Sequence, residues 1–417
     1  MKEIILKKIR SSVNYVKTFI KWGLIAIVVG VVGGLVGTAF HKSVDYVTEV
    51  RTENSWLIFL LPIGGLLIVA MYNLCKVHAG TNRVIESVRT DKKVPVMMAP
   101  LIFVSTVITH LLGGSAGREG AALQLGGSIG YQFGKIFKLD EKDMHLIVML
   151  GMSGVFAALF GTPLTATFFA LEVISVGIIY YVALVPCILS SIVAYNVALI
   201  FGVTSVKFDN AVMQQLDVLV LVKVIVLTIL CALISIGFCL AIKYVSAFAE
   251  KRIPNSYIRA FAGGCIIILL TLLVQTNDYN GAGMDVISRA IGGNANPEEF
   301  ALKILFTVIT ISAGFKGGEI VPTFFIGSTF GCVAGTLIGL NPGFGAAIGF
   351  VALFCGVVNC PFASIMLALE VFGADAILIF AIVCGVSYMM SGYYGLYSSQ
   401  KIMYSKLEAK YININTK

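Results

Sequence analysis

Charge is scarce in this chain. Its 417 residues include 30 lysines and arginines, 22 aspartates and glutamates, and only 12% charged residues overall. Soluble domains carry roughly twice that share, about 25%, and a soluble all-helical protein with an apolar core would need polar outer faces that these residues are too few to supply. Histidine is nearly absent as well. The four present, His41, His78, His110 and His145, form no HxxxH or HExxH pair, and the nine cysteines form no CxxC pair. A metal centre and a disulfide framework are therefore unsupported, and the cysteines, set in or beside apolar stretches, read as buried free thiols. No nucleophile–base constellation marks a membrane enzyme.

What the chain has is grease. Hydrophobic residues make up 58%, and the mean hydropathy is +0.92. Apolar stretches near 20–40, 55–75, 96–114, 144–162, 164–201, 216–246, 258–275, 301–315, 320–340, 344–360 and 361–390 fill most of the length. A span needs roughly 20 apolar residues. Some stretches are longer and some shorter, so tilted and half-spanning helices are expected, 10 to 16 segments in all. The segments 76–94, 135–143, 207–215, 251–255 and 275–299 read as loops. Lys2, Lys7, Lys8, Arg10, Lys17 and Lys21 precede and enter the first stretch with no compact signal-peptide pattern. This positive run predicts a cytoplasmic N-terminus. The tail, with Lys401, Lys406 and Lys410, is basic too, so both termini are expected in the cytoplasm and the number of crossings even. The net charge of +8 is read as topology and contact with anionic lipid of the plasma membrane, not as nucleic-acid binding.

The chain also repeats itself. Gly117, Gly126 and Gly130 recur as Gly318, Gly327 and Gly331 at one offset of 201; Pro163 and Glu172-Val173 recur as Pro361 and Glu370-Val371 at 198; Ala79-Gly80 and Val84-Ile85 find echoes in Ala282-Gly283 and Val286-Ile287. Duplicated apolar segments interrupted by glycine and proline at equivalent positions point to a transport site between two membrane repeats. The expected organisation is one membrane domain over 1–417, with one repeat over about 20–200, the other over about 216–400, and no regulatory domain after it.

The glycine-rich elements carry the chemistry. Gly113-Gly114-Ser115-Ala116-Gly117-Arg118-Glu119-Gly120 sets a flexible turn and two ionisable groups directly before an apolar run, and Lys316–Pro322 does the same in the second half. Irregular backbone at membrane depth survives only where it is buried in protein or lines a cavity. A helix beginning there aims free N–H groups and its positive dipole end at that cavity, which suits an anion. Pro322 is placed as first-turn prolines are.

These residues resemble a known family. Gly117-Arg118-Glu119-Gly120, Gly317-Gly318-Glu319-Ile320-Val321-Pro322 and the late Tyr397 are similar to the three anion-pathway motifs of the CLC chloride channels and antiporters, over essentially the whole chain. The resemblance implies an all-α polytopic fold of two inverted-topology repeats, a homodimer with one pore per subunit, and no cofactor. It implies that Glu119 is the gating glutamate, and it sets the anion path at Thr81, Asn82, Gly120, Ile320, Val321 and Tyr397, framed by Gly117, Arg118, Gly317, Gly318 and Pro322.

The departures are specific. The family's usual Gly-Ser-Gly-Ile-Pro is Gly80-Thr81-Asn82-Arg83-Val84 here, a carboxylate, Glu319, stands where most members have an apolar residue, and Val173 replaces the second proton-carrying glutamate of chloride/proton antiporters. The set looks like the fluoride-exporting branch. Thr81 and Val321 differ from that branch too. Fluoride is the strongest hydrogen-bond acceptor among the halides, and Asn82 and Thr81 offer donors for it, although both residue types also serve as helix N-caps. Tyr397 could donate to the ion or be an interfacial aromatic. Arg118 is expected to pair with a nearby carboxylate or cap backbone carbonyls rather than contact the ion, Glu172 and Glu370 to share a packing or loop-anchoring role, and Glu319 either to carry protons or to be held by Lys316 or backbone amides. The expected function is fluoride/proton antiport. A chloride/proton antiporter or a passive chloride channel of the same fold is the alternative, and a secondary transporter of another substrate a more remote one.

Overall fold

A computed structural model describes residues 2–77, 80–90, 92–208, 214 and 217–417, and the side chains from residue 12 onward. His78 and Ala79, the first of these a histidine weighed above and the second part of one repeat echo, lie outside the described residues, as does most of the 207–215 segment.

Sixteen α-helices among these residues fall into two sets of eight. The first set is α1 (Lys2–Glu53), α2 (Leu61–Leu74), α3 (Thr81–Ser87), α4 (Met98–Leu111), α5 (Glu119–Ile136), α6 (Glu141–Phe160), α7 (Pro163–Glu172) and α8 (Leu184–Ile200). The second is α9 (Val218–Arg252), α10 (Ser256–Val274), α11 (Met284–Ile291), α12 (Glu299–Ala313), α13 (Ile320–Leu337), α14 (Pro342–Val358), α15 (Pro361–Phe372) and α16 (Ile377–Met390). Taken in order, long pairs with long and short with short: α3 and α11 have 7 and 8 residues, α5 and α13 have 18 each. Seven helical segments among the described residues are long and apolar enough to cross a membrane. Local signals start many helices. Asp140, Asp217, Asn255 and Asn341 accept from first-turn N–H groups of α6, α9, α10 and α14, as N-caps do.

Two of the segments read as loops contain helices instead. The 76–94 segment holds α3 and the 275–299 segment holds α11. Both are only about two turns long; α11 does set Val286, Ile287, Ala290 and Ile291 on one face, but over too short a stretch to stand out from the polar residues around it. They are nonetheless the third helix of each set.

Matched glycines explain the tightest packing. A Cβ on Gly126 of α5 would lie 3.0 Å from Met152 Cα of α6, and one on Gly331 of α13 would lie 2.9 Å from Gly349 Cα of α14. Backbones in contact leave no room for a side chain, and small residues are how helices approach this closely in lipid. Beside this seam Phe324 of α13 stacks on Phe350 of α14 at 4.1 Å between ring centroids, 7° from parallel.

The duplicated glutamates Glu172 and Glu370 turn out to be reciprocal helix caps. Pro163 and Pro361 open α7 and α15, and the N–H groups that follow have no partner inside their own helix. Glu370, near the end of α15, accepts from Leu164 N (2.9 Å), Thr165 N (2.8 Å) and the Thr165 hydroxyl (2.6 Å). Glu172, at the end of α7, accepts from Ala363 N (2.8 Å) and Phe362 N (3.3 Å). Each carboxylate also sits at the positive end of the other helix's dipole. Since the end of each helix meets the start of its equivalent, α7 and α15 run antiparallel and a local two-fold axis relates them.

An element absent from the sequence reading follows α16. Strands β1 (Ser175–Val176), β2 (Lys401–Tyr404) and β3 (Tyr411–Asn415) form a small sheet, β2 pairing parallel with β1 and antiparallel with β3. Between β2 and β3, the Lys406 ammonium donates to Asn359 Oδ1 (2.5 Å), Tyr388 O (2.7 Å) and Ser391 Oγ (3.2 Å). Lys406 is thus a clamp that holds the tail to the end of α16 rather than a free surface charge.

Replacing Glu370 with Ala leaves three donors at the start of α7 unpaired. Each buried unsatisfied group costs about 1–3 kcal/mol, so the melting temperature of purified Glu370→Ala should fall clearly below that of the parent, and Glu172→Ala should fall in the same way. Unchanged melting in both variants would remove the capping role.

Candidate functional site

The two glycine-rich elements bond to each other. Gly117 N donates to Gly318 O and Gly318 N to Gly117 O, each at 2.6 Å, as an antiparallel bridge outside any sheet. A Cβ on Gly318 would come within 2.6 Å of Gly120 N and 2.8 Å of Glu119 N, so the crossing admits no side chain there. Equivalent residues thus meet on the pseudo-two-fold axis, and α5 and α13 begin beside it, their first-turn N–H groups converging.

Glu119, the first residue of α5, is fully buried. Its Oε2 accepts from Arg118 N (3.0 Å) and Val321 N (3.2 Å), so amides from both halves hold the carboxylate. Its Oε1 is buried and has no partner among the described residues. The Arg118 side chain points elsewhere and pairs with Asp45 of α1 at 2.5 Å, the same carboxylate that meets His41 Nε2 at 2.9 Å. Asp45 was not singled out in the sequence. Its spacing of four from His41 on one helix face was the available signal.

Glu319 stands just before α13, where Arg118 stands in the first half. One of its carboxylate oxygens lies 3.2 Å from the Cβ position of Gly120. Lys316 makes no ion pair with it within 4 Å; the ammonium lies over the Tyr72 ring, 4.9 Å from its centroid. Of the roles open to Glu319 from sequence, an anchor held by Lys316 has no ion pair to rest on among the described residues, whereas an anchor held by backbone amides retains the bond from Glu319's own N–H. Ile320 and Pro322 are buried in the first turn of α13 beside Val321, and Gly317 packs against Ala116, with Gly117 O 3.0 Å from its Cβ position.

Tyr397 reaches the same region from the loop after α16. The residue is buried, its hydroxyl has no partner, and its backbone carbonyl accepts from the Thr416 hydroxyl at 2.5 Å. Thr81 and Asn82 open α3, with Gly80 at the cap position, and neither side chain caps that helix. The Thr81 hydroxyl is engaged with Gln124 Nε2 (3.0 Å) and Gly120 O (3.4 Å), linking α3 to α5. Asn82 Oδ1 accepts from Ser399 N at 3.0 Å, which ties α3 to the Tyr397 loop and leaves the amide N–H groups uncommitted. Ser399 Oγ adds a bond to Glu86 Oε1 at 3.0 Å, and the Arg89 guanidinium reaches Ser399 O. Glu86 itself pairs with Lys92 at 2.6 Å, which holds its carboxyl below the usual range. Gln124 and Ser399 escaped the sequence reading. A polar residue inside the apolar run after Glu119 was the one hint for Gln124.

Two cavities flank this centre. One, of about 390 Å³, is lined by Arg118, Asp45, Arg51, His110 and Asn280 among others. The second, of about 530 Å³, is lined by Tyr72, Gly80, Arg259 and Lys316, with no carboxylate among its described lining residues.

Comparison with known proteins agrees with this geometry. The family described as voltage gated chloride channel matches residues 64–392. A chloride/fluoride channel protein of Pseudomonas syringae pv. tomato is 36% identical over 395 residues, covering 93% of this chain and 87% of the relative. An H(+)/Cl(-) exchange transporter of Vibrio cholerae is 26% identical over 386 residues, covering 83% of this chain and 81% of the relative. Among solved structures, a CLC-type fluoride/proton antiporter superposes with a TM-score of 0.88 at 33% identity, covering 92% of this chain and 98% of that one. A slow cyanobacterial Cl-/H+ antiporter superposes with a TM-score of 0.75 at 20% identity, covering 89% and 94%, which speaks to the fold. With paired helix starts converging on a buried glutamate, and with a family match over most of its length, this multi-pass membrane protein belongs to the CLC family of chloride channels and antiporters.

Proposed function

We propose that the protein is a fluoride/proton antiporter that exports fluoride across the plasma membrane as a homodimer with one pore per subunit. The observation that carries this reading is the seat of Glu119. Its carboxylate occupies amides of both halves, the position that two converging helix N-termini prepare for an anion, and its second oxygen is buried without a partner. A charged carboxylate and an anion compete for that seat. Protonation releases Glu119 from the amides and frees them for the halide, and return of the carboxylate expels the ion. One group thus exchanges a proton for an anion.

The donors nearby favour fluoride. The Asn82 amide N–H groups and the Tyr397 hydroxyl have no partner among the described residues, while the Thr81 hydroxyl is already committed. The similarity to a chloride/fluoride channel protein and to a fluoride/proton antiporter supports the same choice. Chloride/proton antiport on the same fold is the second reading, since chloride stands in that relative's name. Glu319 acts as a second proton carrier, close to Gly120 and free of any ion pair. The basic run that precedes and enters the first span supports a cytoplasmic N-terminus.

Three outcomes in proteoliposomes test this. Fluoride efflux should exceed chloride efflux at least tenfold, a difference of about 1.4 kcal/mol that one or two hydrogen bonds of about 0.5–1.5 kcal/mol each supply; equal fluxes or a chloride preference would favour the second reading. Glu119→Gln should abolish proton uptake driven by a fluoride gradient, and intact uptake in this variant rules out the gate. Glu319→Gln should slow or uncouple exchange while the protein still elutes as a folded dimer. Exchange at the parent rate and ratio would reduce Glu319 to an anchor.

A further inference from the structure

Arg51, in the last turn of α1, is a cation without a counter-ion. No carboxylate lies within 4 Å of its guanidinium, none of its nitrogens makes a hydrogen bond among the described residues, and Nη1 is buried. Its place is built rather than accidental. The guanidinium lies flat on Gly281, whose Cβ position would be 3.0 Å from Nη2 and 3.2 Å from Cζ, and whose φ of +63° suits glycine. Gly281 N in turn donates to Gly114 O at 3.1 Å, in the turn that leads to Glu119. A guanidinium taken partly out of water without a paired charge costs several kcal/mol unless an anion meets it.

Two more groups around the same 390 Å³ cavity lack partners. Asn280 is buried; its Oδ1 accepts from the Thr271 hydroxyl at 3.3 Å, and its Nδ2 has no acceptor among the described residues. His110 is also buried. Its Nδ1 lies 2.9 Å from Thr106 O, so the hydrogen sits on Nδ1 and Nε2 keeps an unused lone pair. An arginine fork and an amide donor suit an anion, and a lone pair beside them suits a water that the anion holds. The cavity's carboxylates do not supply that charge. Asp45 is taken by Arg118 and His41, Asp278 sits 3.5 Å from Arg289, and Glu49 and Asp285 are exposed at the rim.

We propose that Arg51 and Asn280 hold a partly hydrated halide in the cavity on the Arg118 side, a waiting site separate from the seat at Glu119. The site builds on the reading of Glu119 as the anion seat, because Arg118 lines this cavity with its side chain while its amide holds Glu119. The rim carboxylates repel a bound anion and keep the site weak, so that an ion arriving from Glu119 leaves readily.

Crystals grown in bromide test it by anomalous scattering. A peak within hydrogen-bonding reach of the Arg51 guanidinium and Asn280 Nδ2 is expected, and it should vanish in Arg51→Gln, whose melting temperature should match the parent. In proteoliposomes, the halide concentration on the Arg118 side that halves efflux should rise about tenfold in Arg51→Gln and also rise in Asn280→Ala. No peak in the parent, a peak that survives Arg51→Gln as an adventitious ion only, or unchanged inhibition in both variants overturns the site. The readings separate cleanly: a cavity peak lost in Arg51→Gln, together with intact proton coupling in Glu119→Gln, leaves the cavity site standing and removes the gate.

Discussion

Backbone groups inside a membrane must find partners within the protein, and the centre of this molecule is arranged around that demand. Two stretches of irregular backbone cross inside the protein, where Gly117 and Gly318 are both buried. They satisfy each other through the reciprocal Gly117–Gly318 bonds, and only glycine permits the approach. Once the crossing is made, α5 and α13 start beside it with spare N–H groups directed inward. Those groups are the donors that the backbone itself places beside Glu119. The glycine seams between α5 and α6 and between α13 and α14 serve the same end, since they set how close the helix starts can come.

The same demand explains the charges the membrane region does retain. Glu172 and Glu370 complete proline-started helices in the opposite half. Glu119 uses amides from both halves but keeps one oxygen unmatched. A fully satisfied carboxylate is a fastener, whereas a half-satisfied one has somewhere else to be. This contrast in hydrogen-bond saturation sets Glu119 apart from Glu172 and Glu370 and supports the proposal that it is the one that moves.

The sequence carried the symmetric features well and the asymmetric ones poorly. Glycines at one offset of 201 were legible because close approach tolerates nothing else, and the prolines of α7 and α15 because a helix start accepts them. The short helices α3 and α11 were hidden by their length, although α3 supplies Thr81 and Asn82 and α11 buries Val286, Ile287, Ala290 and Ile291 on one face. The sheet was invisible, since β1 is two residues long and pairs with a strand more than 200 positions away. Partners of known residues were harder still: local pattern hinted that Gln124 and Asp45 matter, but the pairing of Ser399 with Asn82, Gln124 with Thr81 and Asp45 with Arg118 is tertiary placement.

Reciprocal capping also sets a clock. Leu164 and Thr165 wait for Glu370, 206 and 205 residues further along, and at about 5–20 residues per second a ribosome needs about 10–40 s to deliver it. During that interval α7 cannot settle at its final depth with its first turn satisfied, and it must be sheltered by water, lipid headgroups or the insertion machinery. The first half is therefore committed late, by the second, and the two halves mature as one unit although they were built from one duplicated plan.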